Sequence, residues 1–284
     1  MLRTFHDVNA GPFSVSATVA GVPIYLDNHS FLSLAKGDAA RRNRFVAALQ
    51  QGADVLFSIT NAAEIMGPQG RSADLLREFL DEIGPHWFPV ELDPHMVATR
   101  ETQGITGSEA VIATDFMKQY FTVRTKDHTP GSGKVIDLSA GFFRLSAVFD
   151  WLEPQRDSIR AKGKLLDTAL IDRIKDYRLR YDRDLLWLDK NFPQLPFNPR
   201  IPATFTYINV IRGLVLDAKS YQLKKNDGID FCHAVIGAAF ASFATLDKHW
   251  KRRIEALPRP NQLATIYYGP ELDQLISDVE KRLN

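Results

Sequence analysis

One cysteine in 284 residues, Cys232, excludes an internal disulfide framework and fits a reducing compartment. No apolar run approaches the roughly 20 residues needed to span a bilayer. The first residues, MLRTFHDVNAGPFSVS, lack the apolar centre of a signal peptide. These absences lead us to expect a cytoplasmic protein with no membrane partner. Charge of one sign is lacking too. Lys and Arg number 35 against 34 Asp and Glu, a net +1, so any nucleic-acid surface must be local rather than a global basic field. No internal repeat or low-complexity segment is visible. What is present, 45% hydrophobic and 24% charged residues, is an ordinary globular composition, long enough for one enlarged domain or two small ones.

The informative stretch is NDGIDFCHAVIGAAFASFATLDKHW at 226–250. From Asp227, the residues Ile229, Cys232, Val235, Ile236, Ala239, Phe240 and Phe243 recur at helical spacing and form one apolar stripe. Asp227 and Asp230, three apart, share a different face, which continues through Ala234, Gly237, Ala238 and Ala241. Gly237 inside a helix costs roughly 1 kcal/mol relative to Ala, which implies a close backbone approach. FATLD at 243–247 then reads as a short strand with an acid at its carboxyl end.

Upstream, residues 1–20 read as an extended arm or edge strand. VPIYLD at 22–27 is a strand ending in Asp27, and a helix can begin at Ser30. Asp38 is the expected N-cap of a helix over 39–51 closed by Gly52. DVLFSI at 54–59 is a second strand, and Thr60 is the expected cap of a short helix carrying Glu64 and stopped by Gly67. A capped amphipathic helix over 72–84 precedes a third strand at 86–92. This β-α-β-α order predicts an α/β fold, a central parallel sheet with helices on both faces. Residues 94–223 read as mostly helical, with helices over 108–121, 137–151, 155–189 and 203–223 and loops at 125–134 and 191–202. A last strand at 264–268 and a helix from Pro270 close the chain.

Asp27 after IYL, Glu64 after SITNAA, and DGIDFCH at 227–233 followed by Thr245-x-Asp247 together resemble a PIN-domain (PIN-like) nuclease. The resemblance divides the chain into an arm (1–20), a first half (21–93), a helical insertion (94–223) that is its main departure from the family, and a second half (224–284). It implies a Mg²⁺- or Mn²⁺-dependent nuclease, with RNA expected ahead of DNA as substrate. It further implies catalytic roles for Asp27, Glu64, Asp230 and Asp247, with Asp227 added as a metal ligand. The insertion is expected to shape substrate access or to mediate homo-oligomer formation, and an antitoxin-type partner stays open.

The chemistry agrees with this. Several carboxylates at one sheet edge repel one another and need a counter-charge, and oxygen-only ligands suit Mg²⁺ or Mn²⁺ rather than Zn²⁺. Such a site can activate water for attack on a phosphodiester. Each acid also has a plain reading: Asp27 caps a helix, and Glu64, Asp227 and Asp230 sit in first helical turns. Asn28, Thr245, His233 and Lys248 are the candidate supporting or substrate-contacting residues, although Thr245 also suits an ordinary strand and His233 a structural histidine. Basic residues flank the acids: Lys224 and Lys225, then Lys248, His249, Lys251, Arg252 and Arg253. Arg156, Arg160, Lys162 and Lys164 lie in the insertion. A haloacid-dehalogenase-type phosphatase would want a second aspartate where this chain has His29. A non-catalytic PIN-like module binding nucleic acid or protein is the remaining alternative.

Overall fold

The computed structural model describes residues 2–5, 14–17, 19, 21–67, 70–124, 136–137, 144–258 and 260–284. The chain begins with β1 (Leu2–Phe5) and β2 (Ser14–Ala17), an antiparallel pair, followed by β3 (Val22–Tyr25). Helices α1 (Asn28–Lys36) and α2 (Ala39–Gln50) lead to β4 (Ala53–Phe57). Then α3 (Ile59–Ile65) and α4 (Arg71–Ile83) lead to β5 (Trp87–Pro89). The helical stretch runs through α5 (Pro94–Thr102), α6 (Ser108–Val111) and α7 (Thr114–Arg124). Strand β6 (Ile136–Asp137) pairs with β1, and α8 (Leu145–Leu152), α9 (Arg156–Arg183), α10 (Leu186–Asn191) and α11 (Pro202–Leu216) follow. Last come α12 (Asp227–Phe240), β7 (Phe243–Thr245), α13 (Lys248–Glu255), β8 (Thr265–Tyr267) and α14 (Leu272–Leu283).

Strands β5-β4-β3-β7-β8 form a five-stranded, all-parallel sheet, so the fold is α/β as the alternation predicts. Ile24, Tyr25, Val55 and Ala244 are fully buried, as expected of strands covered on both faces. The chain steps outward from β3 through β4 to β5, then returns beside β3 as β7. The strand order therefore reverses between β3 and β7. Ligands of open α/β sheets bind in the crevice beyond the carboxyl ends at such a point.

Helix α12 lies against β3 and β7, and α2 and α14 pack together against the sheet as well. A Cβ on Gly237 would come within 2.9 Å of Tyr25 Cδ1, so the glycine permits the close approach that its position in a helix implied. The described residues of 94–223 are not a detached unit. Helices α9 and α11 pack on α12, α9 also on α3, and their apolar residues join the sheet's in one continuous core.

Several boundaries differ from those the pattern predicts. Ser58, not Thr60, caps α3, because its hydroxyl and Asn61 form a reciprocal capping box. The helix read from 72 starts at Arg71 after Gly70, which has φ 57° and no side-chain cap. The helix read over 108–121 breaks at Ile112. There Glu91 N–H bonds Val111 O and Ala113 N–H bonds Pro89 O, pulling the chain onto the edge of β5. Asp137 belongs to β6, and the helix read from it starts at Leu145. The helix read over 155–189 ends at Arg183, where Asp184 turns extended (φ −143°) and caps Leu186 N–H. The loop read at 125–134 lies outside the described residues, as does part of the arm. Among the described residues, no helix is long and apolar enough to cross a membrane.

Candidate active site

Asp27 and Asp247 occupy matching places at the reversal of strand order. Asp27 stands just beyond β3 and caps α1, its Oδ1 accepting from Ser30 N–H at 2.8 Å. Asp247 stands just beyond β7 and caps α13, its Oδ1 accepting from Trp250 N–H at 2.8 Å. The plain helix-capping reading is thus true of both. Yet capping uses one oxygen, and the Oδ2 of each has no protein partner among the described residues. Buried Thr245 ties the two strands together: its hydroxyl accepts from Asp27 N–H at 2.9 Å and donates to Asp27 Oδ1 at 3.2 Å.

Glu64 projects from the second turn of α3. Its Oε2 accepts from Asn28 Nδ2 and lies 3.3 Å from His233 Nε2, although the ring N–H is not aligned on that oxygen. Burial pushes the Glu64 carboxyl up, but His233, Asn28 and Arg160 reverse this and hold it below the usual range. Burial likewise pulls His233 down, and Glu64, Asp230 and Asp27 overcome that, leaving the imidazole raised. The other ring nitrogen, Nδ1, meets the Tyr25 hydroxyl, which bonds Asn61 Oδ1 at 3.5 Å. Asn61 Oδ1 accepts in turn from Ser58 Oγ at 2.7 Å. A buried polar chain therefore fixes Glu64 and His233 to the start of α3.

Asp230 sits one turn into α12. Its carboxyl is pushed up to about 7, first by burial and then by Asp247, Glu64 and Asp227, with His233 opposing. These acids are thus near enough to act on one another's ionisation. Asp227 is committed differently: its Oδ2 accepts from Tyr221 Oη at 2.8 Å and from Lys224 N–H at 2.5 Å, so that oxygen holds the turn before α12. Lys248 Nζ lies 5.9 Å over the Tyr268 ring and makes no ion pair with the acids.

The sequence reading missed three contributors. Tyr25 looks like any strand aromatic. Asn61 had a signal, Ser58-x-x-Asn61, a capping-box spacing. Asp167, from the middle of α9, accepts from Gly228 N–H at 2.9 Å, Ile229 N–H at 3.2 Å and Asn226 N–H at 3.2 Å. It caps α12 from another helix, which no local pattern announces. Arg160, read only as part of a basic run, donates from Nε to Ala63 O at 2.9 Å and stands over α3 beside Glu64.

Among the described residues, no three His, Cys, Asp or Glu side chains stand in an arrangement that holds a metal by themselves. The donor chemistry nonetheless fits a hydrated Mg²⁺ or Mn²⁺, which keeps several waters and needs only one or two carboxylates plus a substrate phosphate. Two observations fit it further. The Asp230 carboxyl is raised by burial first and by like charge after it, and the buried Asn28 Oδ1 has no hydrogen-bond donor among the described residues.

Set against protein-family models, curated proteins and solved structures, this chain matches none of them.

Proposed function

We propose that this protein is a Mg²⁺- or Mn²⁺-dependent nuclease that hydrolyses phosphodiester bonds, RNA being the expected substrate. The geometry carries the reading: Asp27 and Asp247 follow neighbouring strands at the reversal of strand order, each with one carboxylate oxygen left over, and Asp230 close by is raised to about 7, first by burial and then by Asp247, Glu64 and Asp227. Asp27, Asp230 and Asp247, with Glu64 beside them, would hold a hydrated cation, one or two of them directly and the others through its waters. Bound there, it supplies charge neutralisation and an activated water for in-line attack on phosphorus.

The chain's own groups do the rest. Thr245 and the N-terminus of α1 orient Asp27. Asn28 and His233 hold Glu64 ionised and in place. Asp230, half-protonated near neutral pH, gives up its proton when positive charge arrives. Arg160 brings a guanidinium from the insertion to the same edge. The competing reading is a non-catalytic module that binds nucleic acid or protein. It is favoured by the engagement of Glu64 with His233, which already provides a counter-charge.

Labelled pools of single- and double-stranded RNA and DNA, incubated with Mn²⁺ or EDTA, test the two. The expected result is Mn²⁺-dependent cutting, RNA foremost, lost in Asp27→Asn while the fold is kept, together with a melting temperature that Mn²⁺ raises by mass action. No cutting and no shift would transfer the assignment to the binding module.

A further inference from the structure

The nuclease reading leaves a large cavity unused. It measures about 510 Å³ and lies between α11 and α13, lined by Arg212, Gly213, Leu216, Arg252, Arg253 and Leu257, among others. Its chemistry is two-sided: guanidinium groups border an apolar floor.

The guanidinium groups are held in different ways. Arg253 is fixed: it pairs with Asp217 at 2.8 Å, donates to His249 Nε2 at 2.8 Å and lies 4.7 Å over the Tyr221 ring. Arg212 is anchored on Asp189 at 2.7 Å and on Phe192 O at 2.9 Å. Arg252 is exposed and has no ion pair or side-chain hydrogen bond among the described residues. The cavity thus offers two guanidinium groups held in place by carboxylates, one of which, Asp217, is itself on the lining, and one uncommitted positive charge on Arg252. That is a setting for phosphate, which Arg binds through several oriented donors.

The cavity is also joined to the acids. Tyr221 donates to Asp227 at 2.8 Å while its ring stacks on His249, with centroids 4.3 Å apart and planes 20° from parallel. His249 lines the cavity. Helix α13 connects the two sites directly, since Asp247 caps it and Arg252 and Arg253 lie in its last turn. The other wall is α11, so the insertion completes the cavity. Gly213 is telling in this respect: a Cβ there meets nothing within 4 Å. No packing demand accounts for this glycine in the last turn of α11, and its absent side chain leaves the cavity open.

We propose that this cavity holds a nucleotide flanking the scissile bond, with its phosphate on Arg252 and Arg253 and its nucleoside against the apolar floor. The inference rests on the nuclease reading for the identity of the strand and gives the insertion a role in gripping it.

The test measures binding apart from cleavage. A fluorescein-labelled single-stranded 12-nucleotide RNA is titrated in EDTA by anisotropy over a salt series, with wild type, Arg252→Gln, Gly213→Glu and Gly213→Gln. Gly213→Glu places a carboxylate in the cavity, and Gly213→Gln controls for bulk. Helix propensity favours either residue over Gly, and melting temperature confirms the fold. Arg252→Gln and Gly213→Glu are expected to weaken binding about tenfold each and to lower the slope against log salt by about 1. Gly213→Gln is expected to weaken it less and to leave the slope unchanged. Equal affinities and slopes in all four proteins, or no RNA binding at low salt, would overturn the proposal. So would a thermal shift with inorganic phosphate or a mononucleotide that Gly213→Glu abolishes while RNA binding is untouched, because the cavity would then serve a free anion. Arg252-dependent binding without any cutting removes the nuclease reading and keeps the cavity. Mn²⁺-dependent cutting with Arg252-independent binding does the reverse.

Discussion

Among single residues, Asp230 states the electrostatic problem most sharply. Its carboxyl titrates at about 7 in the fold against an ordinary 3.8. A carboxyl raised by folding binds its proton more tightly in the native state than in the unfolded chain. Its contribution to stability is therefore whole below about pH 4 and is lost as pH climbs through about 7. In metal-free buffer, Asp230→Asn is expected to be more stable than wild type at pH 8, on the order of 2 kcal/mol after allowing for solvent screening. At pH 4 the gain should vanish, because the wild-type carboxyl is then protonated as well. Urea unfolding at the two pH values checks this, and a gain equal at both would show that neither burial nor its neighbours raise the Asp230 carboxyl in the fold. Asp27 and Asp247 show why single acids are ambiguous in a sequence: each does cap a helix, and each still leaves an oxygen over.

At the scale of elements, α12 depends on a partner far away in the chain. Asn226, its N-cap, is left-handed at φ 75° and offers no side-chain cap. Asp167 on α9 fills the role instead. Gly228 is required there, since a Cβ would come within 2.5 Å of Asp167 O. Asp167→Ala would strip three backbone N–H groups of their acceptor, and a loss of about 1–3 kcal/mol is expected. On the proposed nuclease reading, cutting should fall as well, because Asp230 lies within the same first turns. Asp167→Asn should recover part of both losses, as its amide oxygen still accepts. Denaturant unfolding and initial cleavage rates measure the two effects, and a variant of undiminished stability would mean that water replaces the carboxylate without loss.

Over the described molecule, the helices of 94–223 and the sheet share one core. Phe231 and Val235 of α12 are fully buried within the cluster that also holds residues of α5, α9 and α11. The protein should therefore unfold in one calorimetric transition with equal calorimetric and van't Hoff enthalpies. Excising residues 94–223 should yield an aggregating chain rather than a minimal sheet domain, because the cover of α12 would be removed. Two separated transitions, or a soluble folded excision product, would show the insertion to be a separate domain.

The periodicity of the sequence by itself determined the α/β class, the parallel sheet, the strands that lead to Asp27 and Asp247, and the tight seat of Gly237. Those features are local: period 2 or 3.6, an acid after an apolar run, a glycine where a side chain would be expected. Tertiary structure alone decided the rest. That Thr245 braces Asp27, that Tyr25 and Asn61 hold His233 and that Asp167 caps α12 are contacts between residues distant in the chain. The interruption at Ile112 has the same origin, since the edge of β5 outbids local helix propensity for its backbone hydrogen bonds. The turn of Asp227 toward Tyr221 and the cavity between α11 and α13 also follow from packing. Propensity and spacing act over a few residues, whereas these choices depend on which distant groups arrive beside one another when the core closes.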